Sequence, residues 1–219
     1  MTYPAAPWIN KGFAYQSLHL IDIERARAFV PKDLQIVSVL PGKTLGVFFT
    51  AAYGPGSALE YNELIVAPAL TRHGGRFGFW ISHIYVDNED SMAGGREVWG
   101  LPKEMAQFSW SNTGVEVYQG KLQLAALRWR EPRWLLPMLL FLPTFSKLGL
   151  NLLAFLGKVR ARSGITSGQL DVPAESPFAA LNLSGKKRVF PLLDMTFKAG
   201  APRVVATEAL KDPSLAQNT

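Results

Sequence analysis

Runs of apolar, β-branched and aromatic residues follow one another along most of the chain, and glycine or proline separates one run from the next. Short runs of this kind predict β-strands. They cover 34–40, 44–53, 61–70, 76–86, 106–111, 115–129, 188–199 and 202–210. Many short strands without regularly interspersed helices favour a mainly β barrel or sandwich over a βαβ fold.

Two segments break this pattern. Residues 21–29 have apolar positions at helical spacing and stop at Pro31, which predicts a short amphipathic helix. Residues 134–157 are almost wholly apolar and are about as long as a membrane span of roughly 20 residues. Pro137, Pro143 and Lys147 argue against a spanning helix.

We interpret 134–157 as an apolar insert that acts as a lid, a pocket wall or an oligomer contact, with a helix over 148–156. Basic residues flank the segment, so peripheral docking on a membrane stays open, and a spanning helix is the remaining alternative. No linker divides the chain, and we expect one domain over 1–219.

Composition narrows the function further. The 219 residues are 48% hydrophobic and 18% charged, which is enough apolar material for one sizeable core. The chain has no cysteine and no recognisable secretory signal at its N-terminus, so we expect a cytoplasmic protein. The net charge is +6, but the basic clusters at 158–162 and 186–188 accompany no nucleic-acid-binding motif, and we expect solvated surface there.

Cofactor motifs are missing from the sequence. His19, His73 and His83 lack the spacing of metal ligands, and no glycine-rich nucleotide motif occurs. We therefore expect no metal and no cofactor.

Lys103 is the leading candidate for chemistry. It follows Pro102 in a segment that also contains Trp99, Leu101 and Met105. Apolar surroundings would lower the pKa of the lysine and supply the neutral amine that attacks a carbonyl group. These residues alone favour the alternative of a surface lysine with its stem on apolar neighbours.

The wider setting of Lys103 resembles the active-site pattern of the acetoacetate decarboxylase family. The matching residues are Tyr85, Asp87, Asn88, Glu89, Gly95, Arg96, Glu97, Pro102 and Lys103. The resemblance implies a closed, cone-like β-barrel with a few short helices and Lys103 in its interior. It also implies a homo-oligomer in which Lys103 forms a Schiff base with a β-keto acid, without metal or organic cofactor.

Other site residues follow from the same resemblance. The element Tyr61-Asn62-Glu63 is similar to one that lines the family's pocket, so we expect Glu63 to orient substrate or move protons, with Tyr61 beside it. Trp99 is an expected apolar neighbour. We interpret 89–101 as an acidic turn and an extended segment, in which Arg96 and Glu97 face opposite sides and mainly support the loop.

Three positions depart from the family pattern. Glu104 stands where the family has a second lysine, although strand alternation should point it away from Lys103. The family's arginine before the first helix has only Lys11 as a counterpart. No acidic residue lies between Asp33 and Glu60, where the family has a second glutamate.

These departures indicate a more apolar pocket and a larger substrate. We expect a Schiff-base lyase acting on a β-keto acid or related carbonyl compound. Aldol or dehydration chemistry on the same imine, and a non-catalytic barrel that binds an apolar ligand, remain open.

Overall fold

The computed structural model describes residues 3–207, and strands dominate it. The first half contains β1 (Trp8–Asp22), α1 (Ile23–Arg27), β2 (Gln35–Ile36), β3 (Lys43–Tyr53), β4 (Tyr61–Ala67), β5 (Ala69–His73), β6 (Arg76–Trp80) and β7 (His83–Val86). The second half contains α2 (Glu89–Trp99), β8 (Lys103–Met105), β9 (Gln107–Ser111), β10 (Gly114–Gln119), β11 (Leu122–Trp129), β12 (Leu136–Leu148), β13 (Asn151–Ser163), β14 (Thr166–Asp171), β15 (Gly185–Ala199) and β16 (Arg203–Thr207). The predicted mainly β class is confirmed.

One highly branched sheet holds these strands together. Its main path runs β2-β5-β6-β12-β13-β15-β1-β3-β4-β7-β8, and β14 branches from β15 to carry β11, β10 and β9. The path is open at β2 and β8, so the expectation of a closed barrel is wrong for this hydrogen-bonded sheet. These end strands are only two and three residues long, too short to pair along their length and close a ring.

Most predicted strands are confirmed, with differences in several stretches of the chain. Only Gln35–Ile36 of the predicted strand 34–40 pairs, and the predicted helix 21–29 is reduced to Ile23–Arg27. Of the predicted strand 202–210, Arg203–Thr207 pairs as β16 and the last three residues lie outside the described part. The 15-residue strand β1 was not predicted, because polar residues occupy several of its inward positions.

The apolar segment 134–157 belongs to a long hairpin, and the predicted helix over 148–156 is wrong. Strands β12 and β13 pair from Leu136 opposite Ser163 to Leu148 opposite Asn151, around a tight turn at Gly149. Pro137 and Pro143 are tolerated because β12 pairs with β6 on its other side only at Thr144 and Phe145. Within residues 3–207, every helix is too short or too polar to cross a membrane.

Candidate active site

The segment before Lys103 is a helix, which corrects the expectation of a turn and an extended strand. Helix α2 begins after Asn88, whose side chain accepts a hydrogen bond from the Ser91 backbone N–H at 2.9 Å. It ends at Gly100, which adopts the left-handed conformation with φ of 61°. Asn before two acidic residues and Gly at the end are N-cap and C-cap signals, which outweigh the helix-weakening pair Gly94-Gly95.

Gly95 allows α2 to lie directly against the Lys103 side chain. A Cβ atom at this position would fall 2.4 Å from Lys103 Cδ and 2.7 Å from Cε. Any larger residue would therefore displace the lysine stem. The helix holds the stem in one place and closes one side of the site.

The Lys103 amine is buried and has a carboxylate beside it. Its Nζ lies 3.0 Å from Glu63 Oε1, donates to Ser91 Oγ at 2.9 Å, and stands 4.8 Å from the centre of the Tyr61 ring. The residue is only 2% exposed. Burial lowers the pKa of Lys103 below its ordinary value, and the neighbouring Glu63 opposes part of that shift. A larger fraction of the Lys103 amine is therefore neutral than in a solvated lysine at the same pH.

Glu63 is held by phenol groups as well as by the amine. Tyr53 donates its hydroxyl hydrogen to Glu63 Oε2 at 3.0 Å. Burial, reinforced by the Glu63 carboxylate, raises the pKa of both Tyr53 and Tyr61 well above the ordinary value. Both phenols therefore stay protonated. Alternation along β4 directs Tyr61 and Glu63 to the same side of the sheet.

A cavity of about 100 Å³ that is partly open to solvent lies in front of these groups. Its walls are apolar side chains from β1, β3, β4, β6, β7, α2, β12, β13 and β15, among them Phe49, Ile65, Trp99, Leu142, Phe155 and Phe197. Among the described residues that line it, Lys103 and Glu63 alone carry charge. The structure therefore gathers the two residues predicted to be catalytic at one apolar cavity.

The predicted supporting residues divide between the cavity and the surface. Tyr61 and Trp99 line the cavity, and Trp99 Nε1 donates to the Gly200 carbonyl oxygen at 2.8 Å. Arg96 is exposed, and its Nε donates to the Lys103 carbonyl oxygen at 2.7 Å. Glu97 is also exposed and accepts from the Tyr3 hydroxyl. Neither Arg96 nor Glu97 lines the cavity.

Lys11 and Glu104 both point away from the cavity. Lys11 is exposed on β1, and its backbone N–H donates to Ser57 Oγ at 2.8 Å. It is not part of the cavity wall, so the sequence-based placement of Lys11 in the site is wrong. The exposed Glu104 carboxylate accepts from Gln119 Nε2 at 2.8 Å, as the alternation of an extended segment predicts.

Sequence reasoning missed five polar residues at the site. Asn10 and Gln16 on β1 and Thr144 on β12 line the cavity, whereas Tyr53 and Ser91 contact the Glu63–Lys103 pair. Asn10 Nδ2 donates to the Tyr61 hydroxyl at 3.2 Å. The alternation of Trp8, Ile9, Asn10 and Lys11 between buried and exposed could have revealed β1, had buried polar residues been allowed on its inner face. Within the described range, no three His, Asp or Glu side chains cluster to hold a metal ion.

Solved structures of this fold resemble the chain over nearly its whole length. Acetoacetate decarboxylase from Legionella pneumophila superposes with a TM-score of 0.70 and 18% identity, covering 94% of this chain and 90% of that one. The enduracididine biosynthesis enzyme MppR complexed with pyruvate gives a TM-score of 0.64 and 19% identity, covering 95% and 93%. At these identities the likeness establishes the fold.

Sequence relatives match about half of the chain. The protein NEOXANTHIN-DEFICIENT 1 of Solanum lycopersicum is 39% identical over 107 residues, which cover 49% of this chain and 36% of that protein. Acetoacetate decarboxylase of Burkholderia vietnamiensis is 32% identical over 110 residues, or 48% and 43%. The match thus spans less than half the length of either relative. The family model for acetoacetate decarboxylase matches residues 3–133, more than half of the 219 residues, and the chain belongs to the acetoacetate decarboxylase family.

Proposed function

We propose that the chain is an enzyme that forms a Schiff base between Lys103 and a carbonyl substrate, and that it acts as a lyase. The observation that carries this proposal is the buried amine of Lys103 at the cavity wall, with the Glu63 carboxylate 3.0 Å away. Burial favours the neutral amine, and the adjacent carboxylate can take up the proton that the amine must lose.

The first step follows from this arrangement. The neutral amine attacks the carbonyl carbon, and proton transfers through Glu63 convert the adduct to a carbinolamine. Glu63 then returns its proton to the carbinolamine hydroxyl, which leaves as water, and a protonated imine remains. Tyr53 donates to Glu63 and keeps the carboxylate oriented towards Lys103 during these transfers.

The protonated imine then accepts an electron pair from a neighbouring bond. In a β-keto acid that bond joins the α carbon to the carboxylate, and carbon dioxide leaves. In an aldol the bond joins the α and β carbons, the β-hydroxyl group gives up its proton, and an aldehyde leaves. In either case the resulting enamine takes a proton on carbon, and water releases the ketone and the free amine. The decarboxylases among the relatives favour the first reaction, whereas the apolar cavity and the lack of a second acidic residue in it favour a larger substrate.

Trapping with cyanoborohydride tests the proposal. A β-keto acid, pyruvate and a medium-chain methyl ketone are each incubated with the protein and reductant, and the modified peptide is identified by mass spectrometry. We expect a reduced adduct on Lys103 with at least one of them. If none of these compounds modifies Lys103, the Schiff-base proposal fails.

A binding protein without catalysis is the second candidate. The observation that favours it is the Lys103–Glu63 ion pair itself, because a paired ammonium is not a nucleophile. Under this alternative, ligands bind in the cavity and raise the thermal midpoint, but no adduct and no product form. Measuring thermal shift and product release on the same compounds separates the two candidates.

The outer face of the β12–β13 hairpin supports the proposal of a homo-oligomer. Leu136, Leu139 and Phe141 are 62%, 49% and 51% exposed, a concentration of apolar surface that a second copy of this chain would cover. Light scattering should show at least a dimer, which Phe141→Glu weakens. A monomer that instead floats with anionic vesicles would favour peripheral membrane docking, because Lys158 and Arg160 lie on the neighbouring strand.

A further inference from the structure

The charges that line the cavity balance each other. Lys103 and Glu63 form one pair, and the other lining residues in the described range contribute no arginine, histidine or second lysine. A substrate carboxylate in this cavity would add a negative charge that has no partner of its own. Burial of an unpaired charge is strongly unfavourable.

The cationic residues near the site do not relieve this imbalance. Arg96 is exposed on α2, and its Nε donates a hydrogen bond to the Lys103 carbonyl oxygen. Lys11 is exposed, and neither residue lines the cavity. Imine formation does not help either, because the single positive charge on the iminium nitrogen already faces Glu63. The cavity therefore disfavours a ligand that carries a carboxylate.

Asn10 indicates a group that the ligand should carry. The residue is 1% exposed and lines the cavity, and its Nδ2 donates a hydrogen bond to the Tyr61 hydroxyl at 3.2 Å. Its Oδ1 atom is buried without a hydrogen-bond partner among the described residues. A buried acceptor of this kind is costly unless a donor reaches it. Because the ring of the same Tyr61 lies 4.8 Å from Lys103 Nζ, the donor would belong to a group close to the reacting carbonyl.

The remaining wall favours an apolar ligand. The space is surrounded by the apolar side chains of Phe49, Ile65, Phe79, Ile81, Leu142 and Phe155. Apart from the Lys103–Glu63 pair, Asn10 and Tyr61, the wall also contains Gln16 and Thr144, which are polar but uncharged. Apolar contact gives a ligand more affinity as its apolar body lengthens.

We propose that the substrate is an uncharged ketone or aldehyde with an apolar body and a hydroxyl group near the carbonyl, and that this hydroxyl donates to Asn10 Oδ1. A keto acid is the ligand that this cavity disfavours, so of the two lyase reactions proposed above the inference selects aldol cleavage. The inference rests on the proposed Schiff-base function and names the class of compound that the same site accepts.

Four matched probes test the inference: a medium-chain 3-oxo acid, its methyl ester, the corresponding methyl ketone, and that ketone with a hydroxyl group on the β carbon. The readouts are the rate of reductive trapping on Lys103 and the shift in thermal midpoint, which reports binding without chemistry. We expect the ester and both ketones to be trapped at least about tenfold faster than the acid. We expect the hydroxyl group to add about another tenfold.

Asn10→Leu should abolish the advantage of the hydroxy ketone and leave the ester-to-acid ratio unchanged. Gln16→Leu, which also replaces a neutral polar residue of the cavity wall, should preserve that advantage and serves as the matched control. An Asn10→Leu variant that still prefers the hydroxy ketone would overturn the role of Asn10.

The outcomes separate the inference from the function on which it rests. If the 3-oxo acid is trapped on Lys103 as fast as its ester, the inference is wrong and the Schiff-base function stands. If no probe forms an adduct but the uncharged probes alone raise the thermal midpoint, the Schiff-base function is wrong and the ligand class stands. If the acid raises the thermal midpoint as much as the uncharged probes do, the inference is wrong whether or not an adduct forms on Lys103.

Discussion

Residues 3–133 and residues 134–207 contribute different things to the same cavity. The first region, which the family model covers, supplies Lys103, Glu63, Tyr61 and Asn10. The second region supplies walls, chiefly Leu142, Phe155, Val159 and Phe197. The charged and most of the polar groups thus come from the first region, whereas the apolar enclosure comes from both, with Phe49, Ile65 and Phe79 from the first. A family match over the first region therefore covers the setting of the lysine and part of the wall, and the second region completes that wall.

The two regions nevertheless form one continuous sheet. Strand β15 of the second region pairs with β1 of the first from Trp8 opposite Ala199 to Ser17 opposite Val189. On its other edge β15 pairs with β13. The wall residues on β13 and β15 are therefore connected by strand pairing to β1, the strand that carries Asn10. A substitution in one region can thus alter the geometry of the cavity residues in the other.

Removal of the amine, which belongs to the first region, should give the largest effect. Lys103→Met should reduce reductive trapping by about 1,000-fold or more, since no other amine lines the described cavity. It should also lower the free energy of unfolding by about 3–5 kcal/mol, because the Glu63 carboxylate would then be buried without the ammonium group that pairs with it. Denaturant titration and trapping on the same samples check both.

The double variant Lys103→Met/Glu63→Gln separates the two effects. It should recover most of the lost stability while remaining inactive, since a neutral amide needs no cation. Lys43→Met serves as the matched control. Lys43 pairs with Asp22 at 2.6 Å but is 40% exposed, and such pairs contribute only about 0–1 kcal/mol. Full trapping activity in Lys103→Met would contradict the mechanism.

Sequence patterns predicted the first region better than the second, for physical reasons. The strands over 44–53 and 61–70 have apolar residues at inward positions, and Lys103 and Glu63 belong to short local patterns, so both were accessible without the fold. Asn10 was missed because β1 buries polar residues, which conceals its alternation. Helix α2 was missed because Gly94-Gly95 looked like a break, whereas Gly95 is the position at which the helix contacts Lys103.

The hairpin of the second region could not be predicted by periodicity. Leu139 and Phe141 face outwards, and Leu142 faces the cavity, so both faces of β12 are apolar and no alternation is visible. Uniformly apolar stretches are compatible with a strand or a helix. The sequence also could not show that the sheet stays open, because pairing between distant strands decides closure.

The second-largest effect lies where the two regions meet. His19 on β1 is 6% exposed, and burial, with a smaller contribution from Lys187 on β15, lowers the pKa of His19 from 6.5 to about 4. Between pH 6.5 and 4 the unfolded chain binds a proton that the folded chain does not, so stability falls as the pH falls. The loss is about 3 kcal/mol over this interval and ends below the folded pKa.

Denaturant titrations at pH 7, 5.5 and 4 should show this loss, and His19→Gln should remove most of it. Burial also lowers the pKa of His83, which adds a smaller contribution of the same sign. His73→Gln is the matched control, since His73 is half-exposed at the end of β5. Equal pH dependence in His19→Gln and the unsubstituted chain would show that His19 does not couple the two regions in this way.

Gly95→Ala, also in the first region, should have the next largest effect. The new Cβ atom would lie 2.4 Å from Lys103 Cδ, so the lysine stem must move and carry the amine away from Glu63. A displacement of about 1 Å reduces activity by up to about 100-fold. Trapping rates check this effect, and Gly54→Ala, which would contact nothing within 4 Å, should leave them unchanged.

The smallest effect is expected in the second region, where the change should alter selectivity and leave the amine untouched. Leu142 lines the cavity, whereas Leu139 on the same strand is 49% exposed on the opposite face. Leu142→Ala should enlarge the cavity and shift the preferred ketone towards longer chains by about threefold to tenfold, in proportion to the one or two methylene groups that it admits. Leu139→Ala is a matched control with the same change in volume and should leave the preference unchanged. Trapping rates for methyl ketones of increasing length measure the profile of each variant. Equal profiles for both would mean that the wall does not select the ligand, and the division of roles between the two regions would then be wrong.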